Sequence, residues 1–141
     1  MVVPNPGRGE YRIMSLKILV VDDSSTTRAV IRKTLDLSGL PISELHEAGD
    51  GQEGLKILSD NWIDLVFADI NMPIMSGEEM IGKMHEDDLL KTIPVIVVST
   101  EGSNPRVDAL KSKGIRAFVR KPFSPEHIRE VVTEVLNLKA K

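Results

Sequence analysis

Lys17-Ile-Leu-Val-Val-Asp-Asp23 joins a run of apolar, mostly β-branched or leucine residues to a pair of acids. A strand with one wet face alternates apolar and polar residues, whereas a continuous apolar run is buried on both faces, as central strands of a parallel sheet are. The same texture recurs at Leu65-Val-Phe-Ala68 and Val95-Ile-Val-Val-Ser99, and more weakly at Ala117-Phe-Val-Arg120. Glu44-Leu-His-Glu-Ala48 alternates and carries charge, which suits an edge strand.

Amphipathic stretches separate these runs, and their ends carry stop and start signals. Ser76 with Glu79, and Asp50 with Glu53, have the spacing of a capping box. Asn104-Pro105 and Ser124-Pro125 set a capping side chain before a proline at the first helical position. The last helix is expected over Pro125 to Leu138, with Ile128, Val131, Val132, Val135 and Leu136 on one face. Gly39 and Gly114 fall where helices should stop. Strict alternation of strand and helix predicts an α/β fold, a doubly wound five-stranded parallel sheet with five helices.

The 141 residues suit one domain, and 41% hydrophobic content suffices for one core. A net charge of -3 lacks the basic excess of a general nucleic-acid or membrane binder. There is no cysteine, so thiol catalysis, disulfides and cysteine–zinc sites are excluded, which is compatible with a reducing compartment. No apolar run reaches membrane-spanning length. Residues 1–14, with Pro4, Pro6, Gly7 and Gly9, are expected to form a mobile tail, and residues 15–141 the domain. Met14 is a candidate initiator, with the residues before it an extension.

In a doubly wound sheet, ligands bind at the carboxyl ends of the strands. Those ends carry Asp22-Asp23, Asp69, Ser99-Thr100 and Lys121-Pro122. Each residue alone has a plainer reading: Asp22 or Asp23 as a helix cap, Asp69 as a turn residue, Ser99 as a small core residue, Lys121 as a solvated surface cation. Their co-location on four strands is what points to a site. Three gathered carboxylates repel one another, and a divalent cation offsets that repulsion. All-oxygen donors select a hard ion such as Mg²⁺, with Mn²⁺ able to substitute.

Leu19-Val-Val-Asp22-Asp23, Asp69 followed by Met72-Pro-Ile-Met-Ser-Gly77, Ser99, and Lys121-Pro122-Phe123 together resemble the receiver domain of two-component response regulators. The resemblance spans about Leu16 to Leu138. Asp22-Asp-Ser-Ser-Thr-Thr-Arg28, with Asn71 and Glu101, is most similar to single-domain chemotaxis regulators of the CheY type. It implies a flavodoxin-like fold and a bacterial, cytoplasmic signalling protein. Asp69 would accept a phosphoryl group from a sensor histidine kinase, forming an acyl phosphate. Asp23, Asp69 and the Asn71 carbonyl would bind Mg²⁺, with Asp22 direct or through water. Lys121 and Ser99 would contact phosphoryl oxygens, and Lys121-Pro122 would be a cis peptide. Ser99 and Phe118 would form the switch, and Asn71 and Glu101 would tune phosphoryl lifetime.

The resemblance also implies an output surface on the fourth helix, fifth strand and fifth helix, carrying Lys111, Lys113, Arg116 and Arg120 here. Chemotaxis regulators usually have tyrosine where this chain has Phe118, so no hydroxyl can contact the partner there. With Lys141 shortly after the last helix, the expectation is a monomer or weak dimer that acts on a separate protein. It would be no enzyme beyond catalysing its own phosphorylation and dephosphorylation. Alternative roles are a phosphorelay shuttle or regulator of another pathway. A haloacid-dehalogenase-like phosphatase is more remote, because that family needs a second acid where Ser24 stands. A flavodoxin-type carrier would need a hydroxyl- and glycine-rich phosphate loop where this chain has two acids.

Overall fold

The computed structural model describes residues 2–5, 10–13, 15–100 and 104–136, with side chains from 15 to 100 and from 107 to 136. Within the expected tail, β1 (Val2–Asn5) and β2 (Glu10–Ile13) pair as an antiparallel hairpin, with Val2 opposite Ile13 and Asn5 opposite Glu10. Valine, tyrosine and isoleucine give these short segments β propensity, which the prolines and glycines around them mask in the sequence. The hairpin is a separate sheet.

The main sheet follows the predicted alternation: β3 (Leu16–Val21), α1 (Ser25–Leu37), β4 (Ile42–Ala48), α2 (Gly51–Asp60), β5 (Leu65–Ala68), α3 (Gly77–His85), β6 (Val95–Ser99), α4 (Asn104–Ser112), β7 (Ala117–Arg120) and α5 (Pro125–Val135). All pairings in it are parallel, in the order β4-β3-β5-β6-β7. The charged strand β4 is an edge, as its alternation requires, and β3, β5 and β6 are interior. The chain reverses its direction of winding between β3 and β5, so the switch point lies between their carboxyl ends.

The pleat sorts the strand residues into two cores. Leu16, Ile18 and Val20 of β3 join Phe67, Ile96 and Val98 under α1 and α5. Leu19 and Val21 join Val66, Ala68 and Val97 under α2, α3 and α4. Burying each large side chain is worth about 1.5–3 kcal/mol. Ser76 and Glu79 form the full capping box. The carboxylate of Asp50 accepts the N–H of Glu53, and the hydroxyl of Ser124 accepts that of His127. Gly39 (φ 81°) and Gly114 (φ 103°) hold the left-handed conformation past α1 and α4. The described part of α5 ends at Val135, short of the expected Leu138. The expected Asn104 cap lies outside the described side chains. Among the described residues no helix is long and apolar enough to cross a membrane.

Candidate functional site

The parallel ladders carry four strand ends to one place. Asp22 follows β3, where its N–H continues the ladder to the Ala48 carbonyl at 3.0 Å. Asp69 follows β5, its N–H bonded to the Val21 carbonyl at 3.0 Å. In the next pair, Ser99 is in register with Arg120, and the N–H of Lys121 reaches the Ser99 carbonyl at 3.0 Å. Neighbouring strands therefore bring Asp22, Asp69, Ser99 and Lys121 to the same sheet edge.

Asp22 is buried, at 1% exposure. One of its carboxylate oxygens accepts the Ser24 N–H at 2.9 Å and the other accepts from Lys121 Nζ at 3.2 Å. Neither acid caps α1: the Ser24 hydroxyl does so, accepting the Thr27 N–H at 3.1 Å. Asp69 is half-buried, with Oδ1 accepting the Ile70 N–H at 2.8 Å and Oδ2 lying 4.0 Å from Lys121 Nζ. Asp23 is exposed at the mouth. Carboxylate oxygens of Asp22, Asp23 and Asp69 lie within 4.8 Å of one another. Burial raises the pKa of Asp69 and the Asp22 and Asp23 charges add to this, while Lys121 and the Ile70 N–H oppose it. An all-oxygen cluster in which one acid is driven toward its neutral form fits a hard divalent cation, which would restore the charged form.

Ser99 is buried at the end of β6, and Asn71 is exposed two residues beyond Asp69. Lys121-Pro122 is cis, as expected. Glu101 lies outside the described residues. Gly77 packs against the site from below. A Cβ there would lie 2.1 Å from the Asp69 carbonyl oxygen, so only glycine lets α3 start this close to the acid.

Phe118 is half-buried, packed against the core under α2, α3 and α4. It also lines a cleft of about 420 Å³ with Lys111, Arg116, Val131 and Glu134, between α4, β7 and α5. Lys113, in the turn after α4, does not line this cleft, and its Nζ pairs with Glu78 of α3 at 2.9 Å. The turn after α4 aims it at the neighbouring helix rather than at the cleft. Sequence reasoning missed the part played by Arg28, whose guanidinium donates to the Asp22 carbonyl at 2.6 Å. A cation in the first turn of a helix opposes the dipole there, and that was the available signal.

A parallel sheet with an acid triad and a lysine at its switch point defines a receiver domain. Residues 18–133 match the family model described as the response regulator receiver domain, and the chain belongs to that family. Chemotaxis protein CheY1 of Helicobacter pylori is 37% identical over 122 residues, which cover 86% of this chain and 97% of that relative. Chemotaxis protein CheY of Pseudomonas aeruginosa is 32% identical over 120 residues, 85% of this chain and 95% of that one. Among solved structures, the Vibrio cholerae chemotaxis protein CheY4 is similar with a TM-score of 0.77 at 30% identity, covering 86% of this chain and 99% of that one. The chain is a receiver domain of the CheY type.

Proposed function

We propose that this receiver takes a phosphoryl group on Asp69 from a phosphohistidine of a sensor histidine kinase and signals, in chemotaxis, by binding a partner protein in the phosphorylated state. The observation that carries this is the Asp22, Asp23 and Asp69 cluster within 4.8 Å with the Lys121 ammonium against it. The Ile70 N–H occupies Oδ1 of Asp69, which favours Oδ2 as the attacking atom. Oδ2 forms the new P–O bond, the P–N bond to the donor imidazole breaks, and the ring nitrogen keeps that electron pair. Lys121 moves its donation from Asp22 to a phosphoryl oxygen, and the Ser99 hydroxyl donates to another. Asp23, Asp69 and the Asn71 carbonyl would hold Mg²⁺ or Mn²⁺, with Asp22 direct or through water. That ion supplies charge neutralisation on the transferring phosphoryl oxygens.

Movement of Ser99 toward the phosphoryl group leaves space that Phe118 fills, which changes the cleft between α4, β7 and α5. That cleft is the docking surface for the target, and the chain acts on no other substrate. Asn71 and Glu101 set the lifetime of the phosphorylated state. The protein works in the cytoplasm as a monomer or weak dimer. Incubation with acetyl phosphate and Mg²⁺, read by intact mass, should give one phosphoryl adduct on the parent and none on Asp69→Asn. An equal adduct on the variant would sink the assignment.

A further inference from the structure

Arg28 takes no part in the chemistry above, yet it touches the site. It is the fourth residue of α1, where the helix dipole disfavours a cation unless a specific partner holds it. Nη1 donates to the Asp22 carbonyl oxygen at 2.6 Å, and Nε donates to Glu47 Oε1 at 3.0 Å. Arg32, one turn along α1, donates to the other oxygen of Glu47. Glu47 lies on β4 beside Ala48, the residue that receives the Asp22 N–H. Two divergent N–H donors in one rigid plane suit a guanidinium and not an ammonium.

The carbonyl held by Arg28 belongs to the peptide that joins Asp22 to Asp23. A planar peptide turns as one unit, so fixing its oxygen fixes the direction in which the chain enters Asp23. The Asp22 carboxylate has anchors of its own in Ser24 and Lys121. Asp23 is the exposed member of the cluster, and Arg28 acts one bond plane upstream of it. We infer that Arg28 is a positioning residue that sets the Asp23 carboxylate in the acidic cluster through the Asp22–Asp23 peptide, with Glu47 aiming the guanidinium. The inference rests on the reading of the cluster as a divalent-cation site. It goes beyond that reading by assigning a residue that contacts neither metal nor phosphoryl group.

Charge and positioning predict opposite signs here. A fixed cation near the cluster repels a dication, so through charge alone Arg28→Gln would tighten Mg²⁺ binding. Through positioning it loosens it. Mg²⁺ titration by calorimetry on the full chain separates the two. Arg28→Lys and Arg28→Gln should each weaken affinity by about tenfold, while Arg32→Lys, which touches Glu47 but not the peptide, should stay within about twofold. Unchanged or tighter binding by Arg28→Gln overturns the inference, and so does equal weakening by Arg32→Lys. If the Arg28 variants do not fold, Glu47→Asp, which keeps the charge and withdraws the acceptor from Arg28 Nε, tests the aim of the guanidinium: weakened binding supports the inference and parental affinity overturns it. A parent that binds no Mg²⁺ sinks the metal reading and this one with it. A parent that binds, with variants that match it, sinks this one alone.

Discussion

Burial holds the Asp69 carboxyl above its ordinary pKa, and this fixes how its ionisation acts on stability. The native state keeps the proton to higher pH than the unfolded chain does. Stability therefore falls as pH rises from about the ordinary value of 3.8 through the raised one, and stays reduced above it. Asp69→Asn removes the ionisation, so without metal the variant should melt higher than the parent at pH 7. The gap should close as the pH is lowered toward 3.8, and thermal melts across that range check it. A parent as stable as the variant at pH 7 would contradict the sign. Asp22, Asp69, Ser99 and Lys121 were legible in the sequence because each ends an apolar strand, and parallel register brings strand ends together. Arg28 was not, because what a long side chain reaches depends on how α1 sits against β4.

Between β5 and α3, Ile74 has φ 65°, a left-handed conformation that a β-branched residue rarely adopts. The loop around it is over-determined. The Met75 carbonyl accepts the Gly51 N–H at 2.9 Å and the Ile70 carbonyl accepts the Gly77 N–H at 2.8 Å. The side chain is 76% exposed, so little burial opposes the strain. Left-handed geometry disfavours an L-residue by about 1–2 kcal/mol, and the extra freedom of glycine in the unfolded chain takes back about 0.5–1. Ile74→Gly should thus stabilise by up to about 1.5 kcal/mol, a rise of a few degrees in Tm. Ile74→Val, which keeps the strain, should give none, and equal melts for the two variants would count against the account. Elements differ from loops in how far sequence reaches. Leu65–Ala68, Val95–Ser99 and Ala117–Arg120 were readable to the residue, since unbroken apolar runs have sharp ends. The conformation of Ile74 was not, since glycine or asparagine is the usual mark of a left-handed position.

At the scale of the molecule, alternation of strands and helices fixed the layers and the switch point, while the lining of the cleft between α4, β7 and α5 was only partly legible. Lys111 and Arg116 reach the cleft beside Phe118, but Lys113 turns to Glu78, a choice made by helix packing and not by composition. The acid cluster is likewise a property of the whole fold. Asp22 and Asp23 lie on one side of the switch point and Asp69 on the other, far apart in the chain, so an unfolded chain does not gather them. A cation that needs all three therefore binds the native state alone and stabilises it by mass action. At a free Mg²⁺ concentration ten times its Kd the gain is about 1.4 kcal/mol, or roughly 3–6 °C in Tm for a domain of this size. Chelation should remove the gain, and Asp23→Ala should abolish it while leaving the metal-free melt near that of the parent, because Asp23 is exposed. Addition of Mg²⁺ also works against the order argued for Asp69, since the ion favours the charged carboxylate: the gap by which Asp69→Asn melts above the parent at pH 7 should narrow. Differential scanning calorimetry with and without chelator reads both effects, and a parent indifferent to Mg²⁺ would mean that the three carboxylates share an edge without sharing an ion.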